Sequence, residues 1–181
     1  MFDNEVHELY LMQQVYATLF CVANKMQAFS DEKLGNISSR QQMALTAIVH
    51  LSPEDTTLKN IAAMLGTSKQ NTNRLLGSLQ KKGCIETSIS TKDKRSINVR
   101  LTETGEQLLH EGAEISIYAM AEIFRELSKE DLETLWSLLK KTSRFDGIPY
   151  LGFDADMTGN RTLSHEEEQI MCRFRDIRRT Q

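Results

Sequence analysis

The fold of this 181-residue chain is decided by residues 58–101, LKNIAAMLGTSKQNTNRLLGSLQKKGCIETSISTKDKRSINVRL. Apolar residues recur at steps of three and four in the first half, which predicts two short helices, over 58–65 and 68–82. Gly66 between them suits the left-handed conformation that ends a helix. A short helix, a tight glycine-containing turn and a second helix make a helix-turn-helix.

After Gly83 the apolar residues recur at every second position, which predicts strands. The alternating residues are Ile85, Thr87 and Ile89 in one run and Ile97, Val99 and Leu101 in the next. Residues 90–95 between the runs are polar or charged and predict the tip of a hairpin. Two helices followed by such a ribbon are the pattern of a winged helix-turn-helix.

Charge is distributed unevenly along the chain. The net charge of −3 would by itself disfavour a nucleic-acid partner, and residues 1–36 alone carry −3. Residues 66–101, however, hold eight basic and two acidic side chains, a net charge of +6. Since the local field sets the attraction to phosphate, this segment predicts binding to double-stranded DNA.

The N-terminal half of the helix over 68–82 predicts contacts with DNA bases. A recognition helix presents that end to the major groove, where Gln, Asn, Arg and Lys can hydrogen-bond to base edges. The candidate residues are Thr67, Ser68, Lys69, Gln70, Asn71, Asn73 and Arg74. Lys81 and Lys82, near the other end of the helix, are predicted to contact phosphates.

The hairpin tip predicts a second contact with DNA, because a basic hairpin beside a recognition helix is typical of a wing. Its candidate residues are Lys92, Lys94 and Arg95, with Arg95 predicted to enter the minor groove. Asp93 is predicted to hold the turn through its carboxylate, or to pair with Arg95 or Arg74.

The remaining sequence predicts a mainly α-helical protein. Long amphipathic helices are expected over 5–29, over 102–126 from a cap at Thr102, and over 128–143. A helix ending near Leu51 is expected to begin at Ser38 or Ser39, with a capping box of Ser39 and Gln42. The terminal helices are too apolar for one small lobe to cover, which predicts a helical dimerisation region over about 5–29 and 102–143 beside a winged helix over about 38–101.

Three segments resemble the MarR family of transcriptional regulators: residues 81–86 (KKGCIE), the tip Asp93-Lys94-Arg95, and residues 99–105 (VRLTETG). The resemblance covers about residues 5–143. It implies a homodimer that binds a palindromic operator, with release in many members by a small aromatic or phenolic ligand, and in some by oxidation of a thiol. The chain departs from the family's pattern at Thr72 and Asn73, which puts its base preference in doubt, and at Gly77 within the recognition helix, which we expect to allow a close backbone approach.

The effector and its site stay open. Tyr10, Tyr16 and Trp136, with nearby methionines, are candidates for a ligand pocket, although core packing is the commoner role of such residues at helical spacing. Cys21, Cys84 and Cys172 are scattered and each lies in an apolar stretch, so a small buried side chain is favoured over a redox sensor for each.

Residues 144–181 are predicted to form an extension of a domain over 1–143, with one short helix over 165–178 that Ser164 and Glu167 cap. Residues 154–160 imitate the first half of an EF-hand calcium loop. His165 stands where that loop needs a bidentate glutamate, so a polar turn is the favoured interpretation.

The sequence predicts no enzyme, cofactor or metal site, because it lacks a glycine-rich phosphate loop and its four histidines stand apart from nucleophiles and paired carboxylates. It has no apolar run of the ~18 residues that a membrane span needs. Unpaired thiols suit a reducing compartment, so we expect a cytoplasmic location. The main alternative to DNA binding is a winged-helix module whose basic face binds an acidic protein.

Overall fold

The chain folds into a winged helix from which longer helices extend. The computed structural model describes residues 2–90, 92–147, 152–153 and 163–179. The elements in chain order are α1 (Asp3–Leu34), α2 (Ser39–His50), a 3-10 turn (Pro53–Asp55), α3 (Leu58–Met64), α4 (Lys69–Lys81), β1 (Ile85–Ile89), β2 (Ile97–Leu101), α5 (Glu103–Ile123), α6 (Lys129–Thr142) and α7 (His165–Arg179). The mainly helical fold with one hairpin, predicted above, is confirmed.

The buried core lies in the winged helix, where α2 packs against α3, α4, α5 and β2. Leu45, Ile61 and Leu79 are fully buried there. Leu76 of α4 also points inward, as its helical spacing predicts. The buried cluster comprises Ile37, Ala44, Leu45, Ala47, Ile48, Ile61, Leu76, Leu79, Cys84, Ile85 and Val99.

Strands β1 and β2 form an antiparallel hairpin, which we call the wing, in the register that pairs Ile85 with Leu101 and Ile89 with Ile97. The apolar alternation predicts one buried face along the whole ribbon. Of its apolar residues only Ile85 and Val99, near the base, are buried, because the hairpin extends beyond the core. Ile89 and Ile97, at the far end, are 72% and 55% exposed.

The capping box predicted for Ser39 and Gln42 is wrong by one residue. Ser38 is the N-cap of α2, and its side chain accepts a hydrogen bond from the backbone N–H of Gln41 while the Gln41 side chain accepts one from Ser38. The backbone N–H of Ser39 instead donates to Asp31 Oδ1 at 2.6 Å. Gln42 is drawn into the core, where its amide donates to the carbonyl oxygen of Leu109 on α5.

Helix α1 is longer than the predicted 5–29, because nothing in residues 30–34 interrupts it. Lys33 in its last turn pairs with Glu122 of α5 at 3.0 Å, which holds the two helices together. Gly35, at φ 63°, then ends the helix. In α1 only Leu34 is buried, and in α6 no residue is buried. We call these two helices, together with α5, to which α1 is joined, the helical arm.

Helix α7 packs along α5, with Arg173 lying over the Tyr118 ring at 4.5 Å. Its capping box of Ser164 and Glu167 forms as predicted. The division into a domain over 1–143 and an extension over 144–181 stays a prediction. The calcium-like segment 154–160 lies outside the described residues.

The described part of the chain contains neither a membrane-spanning helix nor a cluster of metal-ligating side chains. None of its helices combines the length and the apolar character that crossing a bilayer requires. Within the same residues, no three His, Cys, Asp or Glu side chains are grouped so as to hold a metal ion.

Candidate nucleic-acid interface

The N-terminal half of α4 turns its polar side chains to solvent. Ser68 caps the helix by accepting a hydrogen bond from the N–H of Asn71. Thr72 is fully buried, and its hydroxyl donates to the carbonyl oxygen of Ser68. This anchoring leaves the other side of the helix outermost, and its exposed residues are Ser68, Lys69, Gln70, Asn71, Asn73 and Arg74, with Thr67 half-buried beside them.

Thr72 and Asn73, two residues of α4 that depart from the MarR pattern, differ in burial. Thr72 cannot touch a ligand on the outside of the helix, so it supports packing. Asn73 is exposed and is the departure that bears on base preference. Gly77 meets no neighbour, since a Cβ atom there would have no atom within 4 Å; the close approach expected at this position is not made within the chain.

The wing tip is held by its own hydrogen bonds. The Asp93 carboxylate accepts from the backbone N–H of Arg95 at 2.9 Å and from the Ser96 hydroxyl at 3.2 Å. This is the turn-holding geometry anticipated for Asp93. No ion pair joins Asp93 to Arg95 or Arg74 in the described part of the chain, and Lys94 and Arg95 both point into solvent.

Lys92 differs from its neighbours at the tip, because it pairs with carboxylates of its own chain. Its Nζ lies 2.9 Å from Asp55 and 3.8 Å from Glu54 in the turn before α3. The hydrogen bond to Asp55 raises the pKa of Lys92, and the same bond, with one from Ser52, lowers the pKa of Asp55. Lys92 therefore fastens the wing to the body.

Lys82 is also occupied internally. Its Nζ donates to the carbonyl oxygen of Asn36 at 2.8 Å and to Gln41 Oε1 at 3.3 Å, which ties the end of α4 to the start of α2. Lys81 beside it is exposed. Of the cations predicted to contact DNA, those that form neither an ion pair nor a side-chain hydrogen bond among the described residues are Lys69, Arg74, Lys81, Lys94 and Arg95.

Two basic residues that sequence reasoning missed lie beside α4. Arg40 of α2 lines one flank of the helix together with Arg74, and Lys59 of α3 lines the other flank together with Lys69. Neither residue belongs to the basic segment 66–101. Only the packing of α2 and α3 against α4 brings them to this surface, so no local pattern marks them.

A cavity of about 560 Å³ lies on the Arg40 flank of α4. It combines two guanidinium groups with the apolar side chains of Met43, Leu65 and Leu75. The aromatic residues proposed from the sequence are elsewhere: Tyr16 packs on Phe20, and Trp136 lies beneath Lys140 on α6. Those aromatic residues belong to the helical arm and do not line this cavity.

The cysteines differ from the expectation that each is buried. Cys84 is fully buried between α4 and β1, and burial raises the pKa of its thiol. Cys21 and Cys172 are exposed. The apolar stretches around these two form outward faces of α1 and α7, which the sequence pattern does not distinguish from core.

Comparison with known proteins finds a family model that matches part of the chain and several solved structures with the same fold. Residues 36–96 match the MarR family model. Among solved structures, the MepR–DNA complex of S. aureus is 25% identical over 71% of this chain and 96% of its own, with a TM-score of 0.64. A mutant of E. coli MarR in complex with operator DNA is 22% identical over 78% and 97%, with a TM-score of 0.61.

A third similar structure is that of BpsR from Bordetella bronchiseptica, whose DNA binding is regulated by 6-hydroxynicotinic acid. It is 18% identical over 72% of this chain and 98% of its own, with a TM-score of 0.64, and so shows the shared fold. The segment matched by the family model holds α2, α3, α4, β1 and the wing tip. The chain is therefore similar to MarR-family transcriptional regulators over residues 36–96 and shares their fold.

Proposed function

We propose that this protein binds a palindromic DNA operator as a homodimer and represses transcription there in the cytoplasm. The exposed row of Asn, Gln, Arg and Lys side chains on the N-terminal half of α4 carries the proposal. Such residues can read base edges in the major groove, and the basic wing beside them can reach the neighbouring minor groove. The similar MepR and MarR structures are complexes with DNA.

The helical arm supports the homodimer. Ten large apolar side chains of α1 are 38–67% exposed, and Trp136, Leu138 and Leu139 of α6 are exposed in the same way. Apolar patches of this extent on a soluble protein mark an interface. A second copy of the same arm would cover them with two-fold symmetry, which also supplies the second α4 that a palindrome needs.

The dimer is tested by placing charge in the apolar face of α1. The double substitution Leu9→Glu and Tyr16→Glu should yield a monomer in analytical ultracentrifugation and lose operator binding. Gln14→Glu, on the same helix, is the matched control and should stay dimeric. A wild-type protein that sediments as a monomer at micromolar concentration would refute the proposal.

The cavity beside Arg40 and Arg74 supports a small aromatic or phenolic acid as the effector. Two guanidinium groups can bind a carboxylate bidentately, and Met43, Leu65 and Leu75 can cover a ring. A ligand here would contact Arg74 and Asn71 and so compete with DNA. Titration with hydroxylated benzoic and nicotinic acids should release the operator, and Arg40→Ala should abolish that release.

DNA binding itself is tested by selection from a random duplex library, followed by fluorescence anisotropy with the enriched sequence. Wild type should enrich a two-fold symmetric motif. Asn71→Ala and Arg74→Ala should each lose about 1–3 kcal/mol of discrimination at one base position. Failure to enrich any sequence would refute the proposal and favour the alternative, a module that binds an acidic protein.

A further inference from the structure

A groove of about 430 Å³ runs between α3, α4 and the wing. Its floor includes the buried side chains of Leu76, Ile85 and Val99. Its rim is polar and is built from three elements that come together only in the folded winged helix. The rim residues are Thr57, Lys59, Lys69, Asn73, Gln80, Arg95 and Ser96.

Three cations stand around this groove, each from a different element. Lys59 comes from α3, Lys69 from the first turn of α4, and Arg95 from the wing tip. All three are exposed, and within the described ranges none forms an ion pair. No Asp or Glu of the described residues lines the groove. The cations are therefore available to an anionic partner from outside.

The opposite side of the wing is different in charge. The cavity there, lined by Pro53 and Ser88, contains Glu54 and Arg100. Arg100 pairs with Glu86 at 2.7 Å, and Lys92 pairs with Asp55 and Glu54. Of the two cavities beside the wing, only the one that faces α4 is lined by cations that form no ion pair within the described ranges.

The α4 wall of the groove is shaped to admit an elongated ligand. Lys69, Asn73, Gly77 and Gln80 are spaced by four, four and three residues, which places them in one row along the helix. The amides of Asn73 and Gln80 can donate hydrogen bonds. Gly77 leaves a gap between them, since no atom lies within 4 Å of the position a Cβ would take.

We infer that this groove holds one sugar–phosphate strand of the duplex, and that Lys59 is a phosphate contact on that strand. The inference rests on the proposed function. It follows from the geometry of docking: when α4 enters a major groove and the wing reaches the next minor groove, the strand between those grooves crosses the space between α4 and the wing. Lys59 fixes that strand from the α3 side.

The experiment is the salt dependence of binding to the selected operator and to a scrambled duplex, measured by fluorescence anisotropy. Each phosphate contact contributes about 1 to the slope of log K against log salt. Lys59→Ala should therefore lower the slope by about 1 per protomer, or about 2 for a dimer. The substitution should lower the affinity for both duplexes by the same factor, because a phosphate contact does not read sequence.

Two further variants make the result specific. Lys59→Arg keeps the charge and should retain the wild-type slope. Lys129→Ala, on α6, removes an exposed lysine from the helical arm and should also retain it. Thermal unfolding of the Lys59 variants should match wild type, since Lys59 makes no ion pair among the described residues.

The outcomes separate the two proposals. If wild type binds the operator and Lys59→Ala has the wild-type slope, the groove assignment is overturned while DNA binding stands. If Lys59→Ala lowers the affinity for the operator but not for the scrambled duplex, Lys59 reads bases and the phosphate assignment is overturned. If wild type binds no duplex, both proposals are overturned.

Discussion

Gly105 of α5 lies directly against the backbone of Cys84, so that a Cβ atom on Gly105 would stand 2.0 Å from the Cys84 carbonyl oxygen. The same carbonyl accepts a hydrogen bond from the N–H of Thr102 at 3.1 Å. The Thr102 hydroxyl caps α5 through the N–H of Gly105 and donates to the carbonyl oxygen of Gly83. These contacts join the start of α5 to the end of the recognition helix.

Gly105→Ala should destabilise the protein strongly, because the added methyl group meets backbone atoms that cannot turn aside. We expect a loss of at least about 3 kcal/mol in the free energy of unfolding, the upper end of the overpacking range. Gly77→Ala is the matched control in α4. It has open space around it and should gain about 0.5–1 kcal/mol.

The comparison is made by urea denaturation followed by circular dichroism. Equal stability of the two variants would contradict the close approach of α5 to Cys84. It would also remove the physical reason for the glycine in the segment VRLTETG.

The ion pair of Lys92 and Asp55 predicts how the wing responds to pH. The pKa of Asp55 is held below its ordinary value of 3.8 by the hydrogen bonds from Lys92 and Ser52. A lowered folded-state pKa means that the contribution of Asp55 to stability is present above pH 3.8 and is lost as pH falls through the folded pKa. Lys92 has a raised pKa, so its contribution is present below its ordinary 10.5 and is lost at higher pH.

Amide hydrogen exchange in the wing should therefore show an acid-induced loss of protection below about pH 4 in wild type. Asp55→Asn should lose part of that protection already at neutral pH. Lys94→Ala, which removes an exposed cation from the same tip, is the control and should leave protection unchanged. If the wing amides of Asp55→Asn exchange at the wild-type rate, the Lys92–Asp55 ion pair does not hold the wing.

The three thiols should react in a fixed order. Burial raises the pKa of Cys84, so its thiol stays protonated and inaccessible in the folded protein. Alkylation at pH 8, followed by mass spectrometry, should modify Cys172 and leave Cys84 unmodified until denaturant is added. In the proposed dimer Cys21 lies within the covered face of α1, so it should react more slowly than Cys172. Rapid labelling of Cys84 in the folded protein would contradict its place in the core.

Helix α7 should depend on Arg178 for its position. The guanidinium donates to the carbonyl oxygens of Phe124 and Leu127, which follow the end of α5. Arg178→Ala should raise hydrogen exchange throughout α7 while the winged helix keeps its protection. Arg179→Ala, at an exposed neighbouring position, is the control; equal exchange in the two variants would show that Arg178 does not hold the helix.

Much of this fold could be predicted from the sequence, because local physics determines the elements concerned. Thr102 is the N-cap of α5 and Gly66 has the positive φ expected of a helix end, both as the sequence predicts. The candidate interface was harder to predict, since charge along the chain does not reveal the partner of each charge. Lys82 and Lys92, which are predicted to contact DNA, are bonded to acceptors of their own chain in this structure.

The residues missed in the sequence are those that tertiary packing brings to α4. Arg40 and Lys59 lie outside the basic segment and reach the interface through α2 and α3. The capping box of α2 lies one residue before the predicted position for a similar reason. The contact between Asp31 and the N–H of Ser39, and the burial of Gln42 against α5, are long-range interactions that a local pattern does not contain.

The proposed dimer places two copies of α4, related by two-fold symmetry, in successive major grooves of one operator. The most direct test of this arrangement is hydroxyl-radical footprinting on the selected duplex, compared with a duplex that carries a 5-base-pair insertion between the half-sites. We predict two protected half-sites with centres about 10 base pairs apart, bound by two protomers, and loss of tight binding upon the half-turn insertion. A single protected site, or affinity unchanged by the insertion, would contradict the account.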